Sequence, residues 1–297
     1  MLHPAIRTFG LSKRYGHFPA LDGVDLEIPA GVVFGYLGPN GAGKTTTIRL
    51  LTGLLRPSAG RAEVLGLDAW TARDDVHRRI GYLPGEFVAY PDLTAERYLR
   101  YLADLRGTVD WSDVVLLAKR LDLDVGRRIG TLSHGNRQKV GLIQAFMHHP
   151  DLLILDEPTT GLDPLMQREF LTLVREARDD GTTILLSSHI LDEVETVADV
   201  VGILRAGRMV VVETIDDLKA KALRRIDVTF TGEVPLAELG GLDGVLEVRA
   251  VGTTAHLTVA GSTEELFRVA APHGIRNVVS HEADLEEIFL TFYDRPE

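Results

Sequence analysis

Two segments of the 297-residue chain hold residues at spacings that suit phosphate chemistry. The first, Gly38-Pro39-Asn40-Gly41-Ala42-Gly43-Lys44-Thr45, fits the pattern G-x-x-x-x-G-K-[ST]. Its glycines let backbone N–H groups turn inward and approach phosphate oxygens closely. Lys44 adds a point charge for β- and γ-phosphates, and Thr45 a hydroxyl where Mg²⁺ would sit. The second, Leu152-Leu153-Ile154-Leu155-Asp156-Glu157, is an apolar run ending in two carboxylates. Taken alone, these acids read equally well as caps of the following turn, Pro158-Thr159-Thr160-Gly161, or as reacting groups. Beside a glycine loop the catalytic reading prevails. Asp156 then stands near Mg²⁺, and Glu157 polarises a water for attack on a γ-phosphate.

Both segments need elements that bring them to one place. Residues 31–36 form a strand-like run leading into the glycine loop, and apolar spacing turns helical from Lys44 to Leu55, where Arg56-Pro57-Ser58 ends it. Residues 92–150 are mostly helical in pattern. Leu152–Leu155 reads as a buried parallel strand with its acids at the C-terminal edge, where open α/β sheets bind ligands. A helix at about 164–179, the strand Thr183–Ser187, a helix at 190–198 and the strand Val200–Arg205 complete an alternating α/β pattern. The N-terminal strands Ala5–Phe9 and Leu21–Ile28 flank a turn near Tyr15-Gly16.

After about residue 217 the pattern changes to strand, short helix, strand, strand, helix, strand, with a terminal helix at 283–293. That order suggests a small ferredoxin-like α+β unit. Apolar residues make up 45% of the chain and charged residues 25%, as expected for folded domains rather than disorder. Lys and Arg number 32 against 43 Asp and Glu, a net charge of −11, which argues against nucleic-acid or anionic-lipid binding through bulk charge. The absence of Cys excludes disulfides, thiolate catalysis and Cys-ligated metals. No apolar run approaches the ~20 residues of a membrane span, and the N-terminus lacks a signal-peptide layout. The expectation is a soluble, cytoplasmic chain.

With these residues in view, the sequence resembles an ATP-binding cassette (ABC) ATPase, the nucleotide-binding subunit of an ABC transporter. Gly38–Thr45 resembles its Walker A loop and Leu152–Glu157 its Walker B strand. Leu132-Ser133-His134-Gly135-Asn136 resembles the signature L-S-G-G-Q, and Thr160-Gly161-Leu162-Asp163 the D-loop. Ser187-Ser188-His189 ends in what resembles the switch histidine, and Tyr15 matches the aromatic that stacks on adenine. The ordered set covers about residues 5–212. The resemblance implies an α/β P-loop ABC ATPase core over 1–217, with an antiparallel β subdomain and a helical subdomain at about 88–150. It leaves 218–297 as the accessory α+β domain.

It also implies ATP and Mg²⁺ as cofactors. Tyr15, Gly38, Asn40, Gly41, Gly43, Lys44, Thr45 and Thr46 would bind the nucleotide, Thr45 and Asp156 the metal, and Glu157 with His189 would serve catalysis. Ser133 and Gly135 would face the γ-phosphate held by a second copy, the start of the signature helix being an anion site. The implied partners are that second copy and an integral membrane permease, which would hold the chain on the cytoplasmic face of the membrane. Phe87, Val88 and Tyr90 lie where the family receives a permease helix. The ending Asp284–Leu290 resembles drug- and antibiotic-export ATPases, so export of hydrophobic compounds is the leading reading. A soluble ABC-type ATPase acting on ribosomes or DNA, and an importer ATPase, are the alternatives.

Three positions depart from the family, among them Asn136, which stands for the signature glutamine. His134 stands for the first signature glycine, and Gly85 stands where the family's Q-loop carries a glutamine that contacts Mg²⁺ and the attacking water. Either Glu86 substitutes for that glutamine or the contact is lost. His148-His149 is read as the end of the signature helix rather than a metal site, and Arg73, Arg78 and Arg79 as a solvated face.

Overall fold

A computed structural model describes residues 4–221, 224–281 and 285. The chain divides into two compact units, Met1–Val212 and Glu213–Glu297. In chain order the first unit holds β1 (Ile6–Tyr15), β2 (Phe18–Ile28), β3 (Val33–Leu37), α1 (Lys44–Leu51), β4 (Ala59–Val64), β5 (Leu67–Asp68), α2 (Arg73–Arg79) and β6 (Ile80–Leu83). It continues through α3 (Ala95–Arg106), α4 (Trp111–Arg120), α5 (His134–Phe146), β7 (Leu152–Asp156), α6 (Pro164–Asp179), β8 (Thr183–Ser188), α7 (Leu191–Val197), β9 (Val200–Arg205) and most of β10 (Arg208–Thr214).

These strands form two sheets. An antiparallel sheet has the order β2-β1-β4-β5, and a six-stranded sheet the order β10-β9-β3-β8-β7-β6. From β9 to β6 the neighbours run parallel. Strands β3, β7 and β8 are buried at every residue, as continuous apolar runs covered on both faces must be. Helix α1 contributes Ile48, Leu50 and Leu51 to one core with Ile6 and Leu26 of the antiparallel sheet and Tyr36 and Ile154 of the parallel one. Burying such side chains contributes ~1.5–3 kcal/mol each, so the glycine loop before α1 is anchored between two sheets.

Parallel register aligns the strand ends. Leu37 pairs with Ser188 and Asp156 with Ser187, so the segments after β3, β7 and β8 emerge at one edge. Leu83 pairs with Leu155, which delivers Gly85 to the same edge. Three helices, α3, α4 and α5, occupy the stretch expected to be helical. Each starts on a polar cap: Thr94, Asp110 and Ser133 accept from the N–H of Arg97, Ser112 and Asn136.

The N-terminal strands are longer than the sequence suggests. β1 runs unbroken from Ile6 to Tyr15 through register shifts near Leu11, where two-residue alternation fails. Strand β4, Ala59-Gly60-Arg61-Ala62-Glu63-Val64, has only two buried side chains and gave no strand signal. α1 stops at Leu51, four residues before the expected end, because Gly53 sits at φ 64° and breaks it.

The second unit contains α8 (Ile215–Lys221), β11 (Arg224–Phe230), α9 (Leu236–Gly240), β12 (Val245–Val251), β13 (Thr254–Val259), α10 (Glu264–Ala270) and β14 (Ile275–His281). Its sheet has the order β12-β13-β11-β14, antiparallel throughout, which with the order strand, helix, strand, strand, helix, strand is the split βαβ arrangement. Ile226, Val228, Phe230, Leu257 and Val259 share a core with Leu239 of α9 and Leu266 of α10. The expected boundary at 217 falls inside α8, which belongs to this second unit. The terminal helix expected at 283–293 lies outside the described residues, apart from Leu285, which is buried.

Candidate nucleotide site at the sheet edge

The loop between β3 and α1 favours glycine at two points, one for want of space and both for a positive φ. Gly43, the N-cap of α1, has φ 114°, and a Cβ there would lie 2.7 Å from the Ala20 carbonyl oxygen. Gly41 has φ 80°. No side chain caps α1, so the N–H groups of its first turn stay available to an anion.

Lys44 opens the helix with its side chain folded back under the loop, only 6% exposed. Its Nζ donates to the Gly38 carbonyl at 2.5 Å and the Pro39 carbonyl at 3.4 Å, and lies 3.8 Å from Glu157 Oε1. Burial lowers the Lys44 pKa, while the carboxylates of Glu157 and Asp156 push it back up. A cavity of about 330 Å³ opens over this loop. Tyr15, Asn40, Gly41, Gly43, Lys44, Thr45, Thr46 and Glu157 all line it, and so does Phe18. Gly38 lies beneath, where a Cβ would strike the Leu204 carbonyl oxygen.

Asp156 is 1% exposed and fully engaged. Its Oδ2 accepts from Thr45 Oγ at 2.8 Å and its Oδ1 from Ser187 Oγ at 2.6 Å. A threonine hydroxyl and a carboxylate oxygen thus meet at the sheet edge. Oxygen donors of this type suit Mg²⁺, which prefers one or two carboxylates and keeps several waters. Tyr82, on β6, has its phenol pushed up to about 12 by burial and then by the Asp156 charge.

Glu157 takes the left-handed conformation, φ 50°, a backbone state that costs a non-glycine residue about 1–2 kcal/mol. Its N–H donates to the Ser187 carbonyl at 3.0 Å. Gln138 of α5, 1% exposed, donates its amide to the Pro158 carbonyl at 3.1 Å and the Glu157 carbonyl at 3.4 Å. The turned backbone swings the carboxylate off the strand line. Oε1 then faces Lys44, while Oε2 meets His189 Nδ1 at 2.5 Å.

Two expected residues lie elsewhere. Neither Ser133 nor Gly135 lines the cavity that holds Lys44. Ser133 caps α5, and Gly135 packs so closely on the D-loop that a Cβ would strike the Gly161 carbonyl oxygen. The His134 ring lies against Gly161 on the other side. Gly85 faces the Asp156 carboxylate, since a Cβ there would stand 3.3 Å from Asp156 Oδ2. Glu86 is exposed, and the polar contacts of Asp156 and Glu157 come from other residues. Val88 and Tyr90 are 76% and 61% exposed, whereas Phe87 is half-buried against Tyr98, with ring centroids 6.3 Å apart. His148 is held by the Ile80 carbonyl at 3.0 Å and His149 by Asp113 at 3.0 Å, and among the described residues no group of three or more His, Cys, Asp or Glu could hold a metal ion.

Reading the sequence missed Phe18, Gln138 and Ser187. Phe18 pairs across the hairpin with Tyr15, so the aromatics flanking Gly16-His17 were its signal. Gln138 and Ser187 gave none, because a polar residue in a helix or at a strand end reveals nothing until its burial is seen.

Comparison with known proteins agrees with this geometry. Residues 21–160 match the family model described as ABC transporter. The bacitracin transport ATP-binding protein BcrA of Bacillus licheniformis is 33% identical over 299 residues, covering 96% of each chain. The probable multidrug ABC transporter ATP-binding protein YbhF of Escherichia coli is 36% identical over 217 residues, and the match spans 71% of this chain but 37% of that longer protein. A solved structure of the ATP-binding subunit of an ABC transporter superposes with a TM-score of 0.67 at 32% identity, over 72% of this chain and 92% of the other. The loop cradling Lys44, the strand ending in Asp156 and Glu157, and a relative matched from end to end lead to one assignment: the chain belongs to the ATP-binding proteins of the ABC transporter family.

Proposed function

We propose that this ABC ATPase subunit hydrolyses Mg-ATP between two copies of itself to drive a separate membrane permease that exports hydrophobic drugs or antibiotics. The observation that carries the chemistry is the meeting of Lys44, Glu157 and His189 beside the Thr45–Asp156 pair. The adenine stacks on Tyr15. The phosphates lie in the loop of Gly38, Asn40, Gly41 and Gly43, with Lys44 and Thr46 over them. Thr45 and Asp156 would hold Mg²⁺, which when bound neutralises phosphate charge. Glu157 accepts a proton from the attacking water, and His189, bonded to its Oε2, orients that carboxylate. General-base action of this kind contributes ~10²–10⁴-fold.

Ser133 and Gly135 stand outside the Lys44 cavity, which supports a shared site: the signature helix of one copy closes over the nucleotide of the other. The names of the relatives, bacitracin transport and multidrug transport, support the cargo class. Exposed Val88 and Tyr90 beside the Gly85 loop support a permease contact there, and hence a peripheral place on the cytoplasmic face. Among the described residues no helix is long and apolar enough to cross a membrane. The test is phosphate release from Mg-ATP by the full chain and by Glu157→Gln. A fall of at least 10²-fold in the variant with nucleotide still bound is expected, and equal rates would refute the assignment of the base.

A further inference from the structure

Glu193 lies on α7, outside the residues assigned above, yet it reaches both loops that carry the reacting groups. The side chain is buried, with the residue 7% exposed. Its Oε2 accepts from Thr159 Oγ at 2.8 Å and from Ser188 Oγ at 3.4 Å. Thr159 stands two residues after Glu157, and Ser188 one residue before His189. Ser188 Oγ also accepts from the Ile190 N–H at 3.0 Å, so one hydroxyl pins the backbone on both sides of His189. The second oxygen, Oε1, is buried without a hydrogen-bond partner.

A buried carboxyl with one bare oxygen is costly, and its persistence calls for a reason. The reason lies in Glu157. A left-handed glutamate persists only where its surroundings over-determine it. Gln138 holds its carbonyl side and Ser187 its N–H. The turn after it is held through Thr159, which is itself 2% exposed. We infer that Glu193 is a positioning residue for hydrolysis, tying Thr159 to Ser188 so that Glu157 and His189 stay aligned on the attacking water. This rests on the hydrolysis reading given above. Burial pushes the Glu193 carboxyl above the usual carboxylate range, against the pull of its two hydroxyl donors. The Glu157 charge pushes it the same way.

The experiment is single-turnover and steady-state hydrolysis of Mg-ATP by the full chain, with binding of a fluorescent ATP analogue measured in parallel. Glu193→Ala and Thr159→Val should each lower kcat about 10–100-fold, with KM and analogue affinity within twofold of wild type. Glu193→Gln keeps an accepting oxygen and should restore kcat to within threefold. Thr159→Val opens no cavity, so it reports even where Glu193→Ala fails to fold. In Glu193→Gln/Thr159→Val the loss should match that of Thr159→Val alone. Wild-type kcat in Thr159→Val, or a Glu193→Gln variant as impaired as Glu193→Ala, overturns the inference. Equal turnover by wild type and Glu157→Gln overturns the hydrolysis reading and this inference with it. Turnover that needs Glu157 but ignores Glu193 and Thr159 overturns this inference alone.

Discussion

Replacing Lys44 by Met removes the one ammonium group at the centre of the site while keeping most of its aliphatic volume. The amine has three N–H donors. Two are directed at the Gly38 and Pro39 carbonyls, at 2.5 and 3.4 Å, and the charge faces Glu157 at 3.8 Å. At that distance and an effective dielectric of 20, the attraction to Glu157 is about 4 kcal/mol before desolvation is counted. A bound γ-phosphate takes over much of this attraction, so only the difference counts toward binding. A hydrogen bond to a charged group has a net value of about 1.5–3 kcal/mol, or ~10–150-fold in Kd. Lys44→Met should therefore weaken ATP binding by that factor. The fold should persist, because Glu157 retains His189. Titration of the full chain with a fluorescent ATP analogue at constant Mg²⁺ measures this, with thermal unfolding as control. Affinity within threefold of wild type, in a folded variant, would refute the placement of the phosphates.

Two further perturbations probe neighbouring features. Burial first, then the Arg106 charge, pushes the His148 imidazole down to about 4, so the unfolded chain takes up a proton near pH 6.5 that the folded chain refuses. The stability this neutral ring provides is present above pH 6.5 and is lost as the pH falls toward 4, at most about 2 kcal/mol between pH 7 and pH 5. Urea midpoints at the two pH values should show that loss in the wild type and a smaller one in His148→Gln, which keeps a donor for the Ile80 carbonyl. Gly85→Gln places an amide beside Asp156, whose Oδ2 stands 3.3 Å from the new Cβ, and should lower the Mg²⁺ concentration for half-maximal hydrolysis at least threefold. Glu86→Ala should leave that curve unchanged, as its exposed side chain predicts, and a flattened Mg²⁺ curve would return Glu86 to the site.

The convergence of Lys44, Thr45, Asp156 and Glu157 was legible because phosphate chemistry constrains residue type and spacing together. A glycine loop must sit between a strand and a helix, and acids at the end of an apolar run must reach the same sheet edge. Buried parallel strands such as β3 and β7 advertise themselves as unbroken apolar runs. The α6 helix spans the expected stretch of about 164–179, and the structure shows what starts it: Pro164 in the first turn and Asp163 as the cap. Strand β4 was not legible, since Gly60, Arg61 and Glu63 interrupt its apolar residues and its pairing with β1 is a long-range event. The register shifts of β1 and the early stop of α1 at Gly53 are likewise tertiary facts. At the site, sequence singled out groups that line the cavity over the glycine loop and missed those that hold them. Gln138, Ser187 and Glu193 are ordinary polar residues until the fold buries them. The left-handed turn at Glu157 has no sequence mark at all, although it decides where the carboxylate points.

On the reading proposed above, ATP joins two copies of this chain, each supplying Ser133 and Gly135 to the nucleotide on the other's Lys44. The most direct measurement is the molar mass of Glu157→Gln by size-exclusion chromatography with light scattering, with and without saturating Mg-ATP. The substitution removes the base and leaves the phosphate loop intact, so bound ATP is not consumed. A mass twice that of the chain is expected with Mg-ATP and a single-chain mass without it, with a single-chain mass throughout when Lys44→Met is added. A Glu157→Gln variant that binds Mg-ATP and stays monomeric would contradict it.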